Sequence, residues 1–250
     1  MADPILQTID LTKKYGDFFA NTEVSINVMA DTIHGVIGPN GAGKTTLFNC
    51  LAGTVPLTSG KIRLDGREIG KKPQHVRPLL GMGRSFQVTS LFSDLTVLEN
   101  LRLASQALQP AKGFVFWKSL PEVSADIDYA HHVLKRIGLD IETSTLAASL
   151  SHGQQRLLEV AMALMARPKV LLLDEPTSGM GIDDVPQMIK LLRSLRKECT
   201  VVLIEHNIHL VTEVCDIVTV MQLGTVIAEG TPAEISADEA VKTAYLGEDI

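Results

Sequence analysis

The chain predicts an α/β fold, and three features carry that expectation. Short runs rich in Ile, Val and Leu recur along it, a glycine-rich turn closes one of them, and a long central stretch keeps helical periodicity. The length of 250 residues, 45% of them hydrophobic, allows one large unit with a sizeable core.

In chain order, "ILQTIDLTKKYG" and "TEVSINVM" alternate apolar and polar residues, which predicts antiparallel strands in a small β subdomain. "IHGVIG" (33–38) is short and apolar and reads as a buried strand of a parallel or mixed sheet. So do "KVLLLDE" (169–175), "CTVVLIEH" (199–206) and "CDIVTVM" (215–221). Between them, "TVLENLRLASQAL", "ADIDYAHHVLKRIGL" and "GQQRLLEVAMALM" repeat with helical spacing, which predicts a helical subdomain inserted into the sheet. The expected division of the single unit 1–250 is therefore 1–95 with 166–250 for the α/β core and its β subdomain, and 96–165 for the helical insertion.

Composition removes several classes of function. With 23 Lys+Arg against 29 Asp+Glu the net charge is −6, without the basic footprint of a dedicated nucleic-acid binder, so no nucleic-acid partner is expected. Asp3 and Asp10 interrupt the start where an export signal needs a continuous apolar core. No window reaches the roughly 18 uninterrupted apolar residues of a membrane span, so any membrane role is expected to be peripheral. Cys50, Cys199 and Cys215 are widely spaced among apolar neighbours, which predicts reduced structural thiols.

"GPNGAGKTT" follows the strand ending at Ile37 and opens a helix, matching G-x-x-x-x-G-K-[ST]. Gly38, Pro39, Asn40, Gly41, Ala42, Gly43, Lys44, Thr45 and Thr46 make up this loop. Its backbone N–H groups and the helix N-terminus suit phosphate oxygens, Lys44 adds a full charge, and the Thr45 hydroxyl can ligate Mg²⁺. "VLLLDEP" ends a second strand in two carboxylates. Asp174 is delivered as a hard oxygen ligand for a nucleotide-bound cation, and Glu175 is placed to act as a general base toward water.

A second anion site begins at Ser151. Ser151 with Gln154 three residues later is a capping-box pattern, and Leu157, Ala161, Leu164 and Met165 follow with helical spacing. The first turn also carries free N–H groups beside a bare Gly153. Two phosphate-binding helix ends for one nucleotide imply a shared site.

In these motifs the chain resembles the ATP-binding cassette (ABC) family of transporter ATPases. Its "LSHGQ", Leu150 to Gln154, is similar to the family's L-S-G-G-Q signature. The order also matches: phosphate loop, Gln87 in "RSFQ", signature, "LLLDE", then His206 in "LIEH". The resemblance implies a P-loop ATPase using ATP and Mg²⁺, in which Ser151, Gly153 and Gln154 contact the γ-phosphate held by a second subunit. It further implies that Tyr15 stacks on adenine, that Gln87 senses Mg²⁺ and water and links to the membrane partner, and that His206 holds the γ-phosphate. Read alone, Tyr15 is a strand end, Gln87 a turn residue and His206 a core histidine. Two positions depart from the pattern: His152 replaces the first signature Gly, and Gly181 stands where the family often has Asp, with Asp183 and Asp184 following.

"GMGRSFQVTSLFSDLTVLENLRLA" and "GTVIAEGTPAEISADEAVKTAYLGE" are similar to the LivG-type ATPases of branched-chain amino acid importers. That resemblance implies two hydrophobic permease subunits and a second ATPase, either similar but non-identical or an identical copy. It also implies an extracytoplasmic binding protein that delivers the cargo, and a place on the cytoplasmic face of the membrane. Related importers carry urea, short amides or aromatic acids, and a soluble ABC ATPase is the contrary class. The aromatics of "KGFVFWKSLP", Phe114, Phe116 and Trp117, read equally as a permease-docking surface or as a seal between helices and sheet.

Overall fold

The computed structural model describes residues 3–85, 91–106 and 120–246. β1 (Leu6–Tyr15) and β2 (Phe18–Val28) form a hairpin that sets Tyr15 opposite Phe18. β3 (Ile33–Ile37) runs through the glycine-rich loop into α1 (Lys44–Ala52). β4 (Ser59–Leu64) and β5 (Arg67–Glu68) complete an antiparallel sheet of order β2-β1-β4-β5. After two 3-10 turns comes β6 (Met82–Arg84), followed by three helices: α2 (Val97–Gln106), α3 (Leu120–Ile137) and α4 (His152–Leu164). The chain then returns through β7 (Val170–Asp174), α5 (Val185–Leu195), β8 (Thr200–Ile204), α6 (Ile208–Val214) and β9 (Ile217–Gln222). It ends with β10 (Thr225–Gly230), α7 (Pro232–Ala237) and α8 (Glu239–Leu246).

The second sheet has order β10-β9-β3-β8-β7-β6, parallel from β9 to β6 with β10 antiparallel at one edge. Its central strands β7 and β8 read as near-continuous apolar runs because both faces are covered. Val170 and Leu172 of β7 pack with α1 and the antiparallel sheet, whereas Leu171 and Leu173 pack with the helices opposite. Phe48 of α1 is completely buried between the two sheets and contributes about 1.5–3 kcal/mol of burial free energy. The far end of α1 is capped by a buried cation: the Arg77 guanidinium donates to the carbonyls of Cys50 and Leu51, and also to those of Lys72 and Gly70. These bonds satisfy carbonyls that a helix end leaves without partners, and burial lowers the Arg77 pKa to about 10.

All four strands expected from the apolar runs form, with ends shifted by at most two residues. β4, β5, β6 and β10 are additional; in β4 only Ile62 and Leu64 are buried, too short an alternation to stand out. The three cysteines are buried free thiols, as expected, and burial pushes Cys215 up to about 12.

His34 on β3 is buried, and its Nε2–H donates to Thr219 Oγ1 (2.7 Å), whose hydroxyl donates to Glu229 Oε2 (2.8 Å). Burial pushes this imidazole down from 6.5 to about 4. The fold therefore holds it neutral, while the unfolded chain takes up a proton below pH 6.5. The stability this contributes is complete above pH 6.5 and is lost as pH falls from 6.5 toward 4, by up to about 3 kcal/mol. Calorimetry of His34→Asn across that window is expected to show a shallower acid decline in Tm than wild type.

Candidate nucleotide-binding site

The carboxyl edge of the parallel strands gathers most of the expected residues. The loop after β3 enters α1 through Gly43, which stands at φ 95° in the left-handed region. A Cβ at Gly43 would lie 2.5 Å from the Ala20 carbonyl oxygen and 2.6 Å from Asn21 Nδ2, so hairpin β1–β2 presses directly on the loop. Asn21 Nδ2 donates to the Gly43 carbonyl (3.1 Å). Lys44 is folded back on its own loop: Nζ donates to the carbonyls of Gly38 (2.5 Å) and Pro39 (2.9 Å).

β7 ends two strands away from β3, with β8 between them. Four buried apolar residues lead to Asp174, which is 1% exposed and among the described residues has no hydrogen-bond partner on either carboxylate oxygen. Burial pushes its carboxyl above the usual range, while the Arg84 guanidinium (Nη2 to Oδ2, 3.6 Å) pulls the other way. An orphaned, buried hard-oxygen donor beside a phosphate loop fits a divalent cation. Thr45, in the first turn of α1, carries the other hard-oxygen donor expected for Mg²⁺.

Glu175 adopts φ 49°, uncommon for a residue with a side chain, and its N–H donates to the Ile204 carbonyl (2.9 Å). The turn brings Glu175 Oε1 within 2.5 Å of His206 Nε2. His206 follows β8 and is itself tied down by Glu205, a buried carboxylate that the sequence reading did not single out. Glu205 accepts from Thr177 N (3.0 Å) and Oγ1 (2.6 Å) and from His206 N (3.1 Å), joining the turn after β7 to the turn after β8. Thr177 lies 28 residues before it, so no local motif marks the link.

Residues 40–46, Phe18, Glu175 and His206 line one cavity of about 390 Å³. Tyr15 is about half exposed at the hairpin end with Lys13 Nζ 4.7 Å from its ring centre, and is not among the lining residues. The aromatic at the mouth is Phe18, 66% exposed, its register partner across the turn. Gln87, Phe114, Phe116 and Trp117 lie outside the described residues.

The α4 entrance forms as its sequence predicts. Ser151 Oγ accepts from Gln154 N (3.2 Å), and Gln154 Oε1 accepts from Ser151 N (3.0 Å). His152 takes an ordinary helical position with its side chain exposed, so this departure is sterically tolerated. Ser151, Gly153 and Gln154 do not line the chain's own cavity. A Cβ at Gly153 would meet Asp184 Oδ2 at 2.3 Å. Asp184 therefore sets a carboxylate against the signature, three residues beyond the glycine at 181. Gly153→Ala is expected to lose most ATP turnover while keeping the nucleotide affinity of the isolated chain. Equilibrium binding measured beside steady-state hydrolysis checks this split.

A glycine-rich strand-to-helix loop, a buried strand-end carboxylate, a carboxylate–histidine pair and a capped helix entrance outside the cavity define the class, a nucleotide-binding cassette. The ABC transporter family profile matches residues 21–178, and the profile "Branched-chain amino acid ATP-binding cassette transporter" matches residues 225–250. The chain belongs to the ABC transporter family.

Two high-affinity branched-chain amino acid transport ATP-binding proteins are similar over 99% of this chain and 100% of their own length. BraF of Pseudomonas aeruginosa is 39% identical over 258 residues, and LivG of Escherichia coli K12 is 36% identical over 254. The lipopolysaccharide export system ATP-binding protein LptB of E. coli K12 is 36% identical over 243 residues, 96% of each chain. Among solved structures, the ADP conformation of MJ1267, an ATP-binding cassette of an ABC transporter, is 30% identical with a TM-score of 0.86. That match covers 98% of this chain and 100% of that one.

Proposed function

We propose that this chain is the ATP-hydrolysing subunit of an importer of branched-chain amino acids. The observation that carries the ATPase reading is the single cavity shared by Lys44, Thr45, Glu175 and His206. The loop 38–46 binds the phosphates, Thr45, Asp174 and Gln87 hold Mg²⁺, and Tyr15 with Phe18 flanks the base. Mg²⁺ supplies charge neutralisation at the phosphates. Glu175 orients the attacking water and takes its proton, while His206, steadied by Glu205, fixes the Glu175 carboxylate and the γ-phosphate. Ser151, Gly153 and Gln154 serve the nucleotide of a second cassette, since their own cavity lies elsewhere. ATP binding closes the pair, hydrolysis opens it, and the difference in affinity between those states drives the transport cycle.

The partners in this reading are two hydrophobic permease subunits, a second cassette that is either non-identical or an identical copy, and an extracytoplasmic binding protein. Among the described residues no helix is long and apolar enough to cross a membrane, which suits a peripheral place at its cytoplasmic face. Within the chain, 96–165 acts as the helical signature unit and 1–95 with 166–250 as the nucleotide-binding core. Overall identity does not separate BraF and LivG from LptB by a wide margin, so the cargo assignment leans on the match at 225–250. Urea, short amides and aromatic acids are the competing cargoes.

Uptake of labelled leucine, isoleucine and valine, against urea, in a deletion strain carrying this chain or its Lys44→Ala variant tests the proposal. Restoration of leucine, isoleucine and valine uptake by wild type alone is the expected result; restoration of urea uptake alone would overturn the cargo.

A further inference from the structure

Arg84 lies at the end of β6, opposite Leu172 of β7 and three residues before Gln87. Its side chain is 14% exposed and bridges two elements, β7 and the segment after α1. Nη2 stands 3.6 Å from Asp174 Oδ2, and Nη1 donates to Thr54 Oγ1 (2.9 Å), just past the end of α1. The contact with Asp174 is longer than a hydrogen bond, and among the described residues Arg84 Nε and both Asp174 oxygens have no hydrogen-bond partner. Arginine–carboxylate pairs frequently make two short parallel bonds. Here the positive charge is close while the carboxylate's lone pairs stay open.

From this arrangement we infer that Arg84 is the resident counter-ion of Asp174 and makes cation binding depend on nucleotide. The inference rests on the MgATP reading above. A buried carboxylate with no compensating charge is costly, and Arg84 supplies that charge when no cation is bound. With Arg84 beside it, Asp174 offers a divalent ion almost no net negative charge, so the ion needs the charges of the phosphates as well. The cation then enters with ATP and not before it. Arg84 is a positioning residue in this scheme, since it acts through Asp174.

The test is Mn²⁺ binding by electron paramagnetic resonance, with and without ATP, on the full-length wild type and on Arg84→Met and Arg84→Lys. Wild type is expected to leave Mn²⁺ free in the absence of ATP and to bind it in its presence. Arg84→Met should bind Mn²⁺ without ATP and lower the half-saturating Mg²⁺ for ATP binding roughly tenfold, whereas Arg84→Lys should behave as wild type. Arg84→Met matching wild type in both titrations would overturn the inference, as would Arg84→Lys matching Arg84→Met. If Arg84→Met fails to fold, adding Asp174→Asn should restore the fold; failure to restore it counts against the pairing. Wild type that binds no Mn²⁺ even with ATP would sink the nucleotide reading itself and this inference with it, a result distinct from the others.

Discussion

Lys44→Ala is expected to bind MgATP roughly 100-fold more weakly than wild type while keeping its fold. Lys44 is 5% exposed, its ammonium is held by the carbonyls of Gly38 and Pro39, and it lines the cavity. A hydrogen bond to a charged group is worth about 1.5–3 kcal/mol, and each 1.4 kcal/mol is a factor of about ten. The phosphates of ATP replace neutral carbonyls as the ammonium's partners, and that exchange is lost with the side chain. Titration of a fluorescent ATP analogue measures it; an affinity within about threefold of wild type would remove Lys44 from the site.

Glu175→Gln separates binding from chemistry. Glutamine keeps the size of the side chain and its reach to His206, but it has no carboxylate to take a proton from water. Loss of a positioned general base costs about 10²- to 10⁴-fold in rate, so turnover should fall by that much with ATP affinity preserved. The uncleaved nucleotide then holds two cassettes together, and the variant should accumulate as an ATP-bound dimer that wild type forms only transiently. Sedimentation with and without MgATP detects it.

The features legible in the sequence are those whose physics is local. The phosphate loop, the Ser151–Gln154 cap and the apolar run ending in Asp174 each form from residues within a few positions of one another, so pattern and structure agree. The contacts that the sequence does not display join residues far apart along the chain. Glu205 joins Thr177 to His206, Asp184 rests on Gly153, and Arg84 faces Asp174 only because β6 lies beside β7. Tyr15 and Phe18 show the limit from another side. A two-residue turn sets both aromatics at the hairpin tip, and the register that brings Phe18 to the cavity is decided by β1–β2 pairing. The departure at Gly181 also reads differently in three dimensions, because Asp184 supplies a carboxylate beside the signature.

In the proposed function two cassettes share each ATP and Glu175 activates the water that cleaves it. Its most direct test is single-turnover hydrolysis of labelled ATP by the chain assembled with its permeases and second cassette, wild type against Glu175→Gln. A wild-type burst of phosphate, and a Glu175→Gln complex that holds ATP uncleaved at least about 100-fold longer, is the predicted result. Equal cleavage rates in the two complexes would contradict it.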